Sequence, residues 1–395
     1  MTTPAPKPIR VLLWSPKGSG LHYGGPGMTA YRLYAAAGPD RFRLVLAHGH
    51  PSQEQYPLFA QQHLIAKSSM GALDQLRFVM VARRWVARHA GEFDVFHGLQ
   101  GFAMTVEPAL VAEKRDLPAV IKLAAHRSDL ADKPGWRSRL GFSRRRRQKV
   151  QRLSAIIAIS RAIVDELREY GIPESKIAWI PNGVDIEQFR PVADAAERRA
   201  LREQLGWRDL PTLLFAGGIN RRKSPHLLVE AIGLLKQRGL ECQLVLAGPE
   251  NDPPYTAQIN DIRRNMGIDA LVHWQGFTTD MAPLYRAADV FALPSLNEGM
   301  PNALMEAMAS GLPSIATPIS GTTDLIDDDV HGRLVPRDAA LIADALAAYV
   351  SDPQVAARHG QASRQKVVDR FSTAAVLDAH ERLFRRIMAG GPAAE

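Results

Sequence analysis

Short runs of β-branched and aliphatic residues recur along the chain, each closed by Gly, Pro or His and followed by a longer segment whose apolar positions repeat every three or four residues. That alternation predicts strand–helix–strand units and a parallel sheet covered by helices. In the first half the strand-like runs are Ile9–Trp14, Phe42–Ala47, Phe93–His97, Ala119–Ala125, Ala155–Ile159 and Lys176–Ile180. In the second half they are Thr212–Gly217, Cys242–Gly248, Leu271–Gly276, Asp289–Pro294, Pro313–Thr317 and Arg333–Val335. Six runs followed by six predict an α/β protein with two Rossmann-like domains in series. The boundary falls in the polar stretch Arg190–Asp209, giving residues 1–190 and 191–370, and the chain closes on a helix, Thr373–Met388, within 371–395.

Composition narrows the class. A chain of 395 residues fits two to three domains at about 150 residues each. Hydrophobic residues at 46% and charged residues at 23% are globular values, so disorder is excluded. The net charge of +8 favours anionic ligands but is too dilute for a dedicated nucleic-acid binder. The single cysteine, Cys242, excludes an intramolecular disulfide and a cysteine-rich metal site and reads as a core residue. Ile9–Trp14 is too short for a signal-peptide core and no window of ~18 apolar residues exists, so a soluble, cytoplasmic protein is expected.

Candidate chemistry gathers in the second half. Thr212–Glu230 reads as a strand, a glycine-rich turn and a helix, with Ser224 expected as N-cap and Pro225 at the first helical position. Arg221, Arg222 and Lys223 would then stand at a helix N-terminus, where free N–H groups and the positive dipole end favour a phosphate or diphosphate. The alternative is a solvated basic turn. The nucleoside-triphosphatase loop is nearly matched, but Arg stands where its second glycine should be. After the first strand, Gly18, Gly20 and Gly24 miss the dinucleotide fingerprint by one position, and the second strand ends at His48 rather than at an acid. The Gly24-Gly25 pair still lets backbone approach a ligand closely.

In Asp289–Gly311 a helix is expected to start at Pro301 and stop at Gly311, with Glu298 in the preceding loop and Glu306 on the helix in an apolar setting. A buried carboxylate there needs a partner. Eight residues of helix separate the two acids by roughly 12 Å, long for the ~5–9.5 Å pair of a glycosidase. Two carboxylates at the two ends of a polyhydroxyl ligand fit better; the bland alternative is a solvated Glu298 and a structural ion pair at Glu306.

Ala-Ile-Ser at 158–160, Ile-Pro-Asn-Gly-Val-Asp at 180–185, the basic turn, Gln275-Gly276-Phe277, the Glu-x₇-Glu element and Ala-Ser-Gly-Leu-Pro-Ser-Ile-Ala-Thr at 309–317 resemble the family 4 retaining glycosyltransferases of the GT-B fold. The resemblance covers nearly the whole chain and is densest from 155 to 336. It implies two Rossmann-like domains facing a central cleft, the first on the acceptor side, the second binding nucleotide-sugar, with the last helix returning to the first. It implies that Glu298, with Gly299 beside it, binds donor-sugar hydroxyls, Glu306 the ribose, and Lys223 the diphosphate. Gly276 and Phe277 would meet the base, Ser320, Gly321 and Thr322 the sugar and phosphate. His126 would lie beside the transferred sugar and Gly25 in the loop facing diphosphate and acceptor. The family often has Arg where Gly218 stands, so Arg221 or Arg222 supplies that charge or it is absent. Arg127 and Asp324 replace a common acidic residue and a common Glu.

The reading is a metal-free transfer from a UDP- or GDP-sugar to a hydroxyl acceptor, a sugar, glycan or lipid-linked saccharide of the bacterial envelope, with no Asp, His or Glu set at ligand spacing. Lys223 and Arg222 would stabilise the departing diphosphate. A sugar-nucleotide epimerase on the same fold and an inactive nucleotide-sugar scaffold stay open. Finally, Trp136–Leu153 carries Arg144–Arg147 and Lys149 beside a thin stripe of Leu140, Phe142, Val150 and Leu153. At about 1 kcal/mol per cation this fits reversible contact with an anionic membrane, or else a solvated helix face.

Overall fold

The computed structural model describes residues 7–20, 25–50, 52–67, 72–127, 130 and 142–394. The chain divides into two units, Met1–Gly183 with Thr373–Glu395, and Val184–Ser372. In the first unit Val11, Leu12, Leu13 and Trp14 are all fully buried. An unbroken apolar run of this kind belongs to a strand covered on both faces, as parallel sheets require.

The strands of this unit are β1 Ile9–Ser15, β2 Phe42–His48, β3 Phe59–Leu64, β4 Val95–Leu99, β5 Ala119–Leu123, β6 Ala155–Ala158 and β7 Ile177–Trp179. They form one seven-stranded sheet in the order β3-β2-β1-β4-β5-β6-β7, and every pairing is parallel. The strand absent from the sequence reading is β3, whose residues Phe-Ala-Gln-Gln-His-Leu lack an apolar run. It lies at the sheet edge, where only one neighbour has to be matched.

The second unit holds β8 Thr212–Ala216, β9 Gln243–Ala247, β10 Val272–Gly276, β11 Val290–Leu293, β12 Ser314–Ala316 and β13 Arg333–Leu334. Their order is β10-β9-β8-β11-β12-β13, again parallel throughout. Each sheet therefore reverses its winding direction once, between β1 and β4 in the first and between β8 and β11 in the second. In such sheets the loops leaving the two strands at the reversal diverge and open a crevice at the carboxyl ends.

The division falls at Gly183/Val184 rather than at residue 190. Val184 donates its N–H to the Phe371 carbonyl at 2.9 Å, and the Phe189 carbonyl accepts from Arg364 at 3.2 Å, so this stretch is stitched into the second unit. The polar stretch after it is not a bare linker. It carries the helix Ala195–Gln204, capped by Asp194 and tied down by Arg202, which reaches Asp289 at 2.5 Å. The closing helix Thr373–Met388 belongs to the first unit, where Val376, Leu377, Leu383, Phe384 and Ile387 join the core with Leu33, Phe42 and Leu44.

Candidate functional site

Both loops that carry the basic turn and Glu298 leave the strands at the reversal of the second sheet, β8 and β11. Gly217 follows β8 with φ +147°, and its N–H donates to Ala247 at 2.8 Å. A Cβ at Gly218 would stand 2.3 Å from Asn251 Nδ2, so the missing arginine of the family could not be accommodated without moving Asn251. The Asn220 side chain then accepts from the Lys223 N–H at 3.1 Å and closes the turn that displays Arg221, Arg222 and Lys223.

Ser224 corrects one expectation. It has φ +54°, and its hydroxyl donates to the Arg221 carbonyl at 2.8 Å while accepting from Arg337 at 2.7 Å. The N-cap of the helix His226–Gln237 is Pro225, so Ser224 shapes the turn instead of capping the helix. Arg337 also reaches the Pro294 carbonyl at 3.3 Å and so ties the basic turn to the end of β11. It lies far along the chain from both, and no local signal marked it. Behind the turn, burial and the nearby Arg337 and Arg221 hold the His226 imidazole below its ordinary pKa, and burial pushes the Tyr255 phenol up to about 12.

The cations do not share one task. Lys223 Nζ lies 2.6 Å from Glu298 Oε1, with the two side chains 12% and 9% exposed. Arg222 reaches the same oxygen at 3.1 Å and donates to the Asn297 carbonyl at 2.7 Å, while remaining 52% exposed. The Leu296 N–H donates to the Arg222 carbonyl at 2.8 Å, which locks the two loops together. Arg221 turns away, over the Tyr255 ring at 5.2 Å and toward Gln258 at 3.3 Å. Of the two candidates for the missing charge, Arg222 is thus the one beside Glu298.

Glu306 sits on the helix Asn302–Ala309, with Pro301 at its N-cap and Gly311 at φ +72° beyond its end. It is buried, and its partner is Tyr285, whose hydroxyl donates to Glu306 Oε2 at 2.9 Å. The neighbouring loops touch through backbone: a Cβ on Gly321, which has φ +80°, would lie 2.4 Å from the Gly299 carbonyl oxygen. Ser320 precedes it, half-buried. Thr322 is fully buried; its hydroxyl lies 2.5 Å from the Thr317 carbonyl oxygen and accepts from the Ile319 N–H at 3.0 Å. That hydroxyl is taken up by bonds within the loop. Gly276 ends β10 at φ +71° and accepts from Gly248 N–H at 2.8 Å; Phe277 after it is 67% exposed.

The remaining two sequence-named positions lie in the first unit. Gly25 begins the helix Gly25–Ala35, and no atom lies within 4 Å of where its Cβ would be, so the fold does not itself demand glycine there. Gly24 is outside the described residues. His126 follows β5 and is half-buried. The next residue, Arg127, has φ +52° and donates its N–H to Glu166 Oε2 at 2.8 Å; the buried Glu166 fixes this turn from a later helix.

Of the basic segment, Trp136, Leu140 and the Phe142 side chain lie outside the described residues. Within it, Val150 and Leu153 are fully buried, Lys149 pairs with Glu107, and Arg147 lies over the Tyr170 ring at 3.7 Å. The described part of the stripe is core, not an exposed apolar face. Cys242 is buried and free.

Two doubly wound parallel units, the second with a basic turn and a carboxylate meeting at its reversal point, define the GT-B class. The family models agree. Glycosyltransferase Family 4 matches residues 23–188, and Glycosyl transferases group 1 matches residues 210–352, so that between them they take in most of the chain. The chain belongs to the family 4 glycosyltransferases of the GT-B fold. It is 36% identical over 251 residues to a D-inositol 3-phosphate glycosyltransferase of Xylanimonas cellulosilytica, covering 60% of this chain and 59% of that one. The match thus spans about three fifths of that relative's length. Among solved structures, Anabaena HepE in complex with UDP superposes with a TM-score of 0.78 at 19% identity, over 95% of this chain and 99% of HepE. WaaG, a glycosyltransferase involved in lipopolysaccharide biosynthesis, gives 0.71 at 16% identity, over 96% and 100%.

Proposed function

We propose that this chain transfers a sugar, with retention of anomeric configuration, from a UDP- or GDP-sugar to a hydroxyl acceptor in envelope polysaccharide, lipopolysaccharide or glycolipid synthesis. The observation that carries the reading is the meeting of Lys223 and Arg222 with Glu298 where the second sheet reverses. In this reading the two cations face the diphosphate and Glu298 is released to the hydroxyls of the donor sugar. The anomeric C–O bond to the β-phosphate breaks, the acceptor oxygen bonds the same carbon from the same face, and the acceptor proton passes to a β-phosphate oxygen. Charge grows on that phosphate, where cations fixed beforehand stabilise it without reorganising and take the place of a metal ion.

Glu306, held by Tyr285, would accept from the ribose hydroxyls, and Phe277 would meet the base. The loops of Gly218, Gly276, Gly299, Ser320 and Gly321 supply close backbone. His126 and Gly25, in the first unit, are assigned to the transferred sugar and to the diphosphate and acceptor by the family resemblance alone. HepE, solved with UDP, supports the donor class, as a likeness of fold alone.

The test is calorimetry with UDP and GDP, followed by turnover with the matching sugar nucleotides. Lys223→Met is expected to lower diphosphate affinity about a hundredfold, whereas Glu298→Gln keeps the affinity and loses turnover. Absence of binding to either nucleotide at millimolar concentration, or isomerisation of the donor alone, would overturn the assignment.

A further inference from the structure

The helix Ala72–His89 is anchored by Phe78, Ala82 and Val86, all fully buried on one side of it. A helix seated this way is expected to turn a polar face to water. Here the centre of the outer face is apolar: Leu73 is 84% exposed, Leu76 57% and Met80 50%. At 100° per residue these three fall within roughly 60° of arc, opposite the buried side. All three belong to the large hydrophobic residues that are exposed among the described residues, and no acid lies between them on this face.

The flanks are cationic. Arg83 lies on one margin and Arg77, Arg84 and Arg88 on the other, all exposed, and the helix has a single acid, Asp74. Arg83 reaches Glu107 only at 4.0 Å; Arg77, Arg84 and Arg88 have no ion-pair partner among the described residues. The ring contact of His63 with Trp85, 5.2 Å between centroids, joins this helix to the edge strand β3, which adds the exposed Leu64.

We infer that this face docks on an anionic bilayer surface, with Leu73, Leu76 and Met80 entering the headgroup boundary and the four arginines engaging lipid phosphates. An apolar strip bordered by arginines is the arrangement that partitions into such an interface, because burial and attraction act on the same helix face. No helix among the described residues is long and apolar enough to cross a membrane, so the contact is one of lying on the surface. The proposal rests on the transferase reading only for its purpose, which is to hold the first unit where a lipid-borne acceptor is presented.

The experiment is co-sedimentation of the full chain with vesicles of equal parts phosphatidylglycerol and phosphatidylcholine, and with phosphatidylcholine alone. Leu73→Ser, Leu76→Ser and Met80→Ser together, all exposed, should leave the melting temperature unchanged and lower partitioning at least about tenfold. Replacing Arg77, Arg83, Arg84 and Arg88 by Gln should abolish the preference for the anionic vesicles, and raising salt from about 0.05 to about 0.5 M should do the same to the wild type. Equal sedimentation of wild type and the serine variant would overturn the proposal. So would a wild-type dimer, seen by light scattering without vesicle binding, that dissociates in the serine variant, since the face would then join two copies. Nucleotide affinity, measured beside each binding curve, separates the two readings: vesicle binding without nucleotide affinity sinks the transferase assignment alone, and the converse sinks the docking face alone.

Discussion

Lys122 stands in β5 on the face that carries Val120, and it is 6% exposed, its side-chain ammonium having no hydrogen-bond or ion-pair partner among the described residues. Its surroundings are basic rather than acidic. His97 accepts or donates at 2.7 Å with the Tyr34 hydroxyl, and its ring lies 5.7 Å from that of His380. Burial, with Lys122 nearby, holds His380 down to about 3, and burial holds Lys122 itself down to about 8 from an ordinary 10.5. Below pH 8 the ammonium is charged in the folded and the unfolded chain alike, and its burial destabilises the fold. Between pH 8 and 10.5 the folded chain loses the proton first, so the unfolded state binds more protons and stability rises with pH. The displacement corresponds to a few kcal/mol, on the order of 3. Lys122→Met is therefore expected to raise the urea midpoint at pH 7 and to flatten the wild-type gain between pH 8 and 10.5. The comparison is made as wild type minus variant, which cancels the contribution of every group other than Lys122, Cys242 among them, whose thiol burial pushes up to about 11. A variant no more stable than wild type at pH 7 would contradict it.

The loops at the carboxyl ends of the strands are shaped by backbone packed on backbone, and Gly321 is the sharpest case. Its φ of +80° and a Cβ only 2.4 Å from the Gly299 carbonyl oxygen oppose any side chain. Gly321→Ala should cost about 1–3 kcal/mol of stability and, by pushing Gly299 away, should displace Glu298 next to it. Thermal unfolding reads the first effect and nucleotide-sugar turnover the second; a variant with a wild-type melting temperature would refute the packing argument. The sequence made this level legible where a local rule acts. Apolar runs marked the strands, Pro301 and Gly311 marked the limits of one helix, and a strand followed by a turn and a helix placed Lys223 and Glu298 each in a loop of the second half. It failed where the deciding partner is distant. Arg337 recruits the Ser224 hydroxyl that an N-cap would have used. Val150 and Leu153 looked like a surface stripe because nothing local says that they fill the core. The edge strand β3 escaped because its Gln-Gln-His sequence carries no burial signal.

At the scale of the molecule, the first unit is discontinuous: its core is completed by a helix that follows the whole of the second unit. Val376, Leu377, Leu383, Phe384 and Ile387 are buried there, with the Phe384 ring 6.1 Å from that of Phe42, and Arg41 donates to Asp378 at 2.7 Å and to Glu381 at 2.8 Å. Burying five such side chains contributes roughly 10 kcal/mol gross, comparable with the whole stability of an ordinary domain. The partly exposed ion pairs of Arg41 add less than this. The donor-side loops from Gly218 to Thr322 lie instead in the uninterrupted second unit, with Gly25 alone in the first. A chain ended after Ser372 should therefore lose the unfolding transition of the first unit while keeping that of the second. Calorimetric scanning would show one transition where the full chain shows two, and titration with the nucleoside diphosphate bound by the full chain should give an affinity within about threefold of it. If the shortened chain unfolds as the full chain does, the closing helix is not part of the first core. If both transitions vanish together, the second unit does not fold independently of the first.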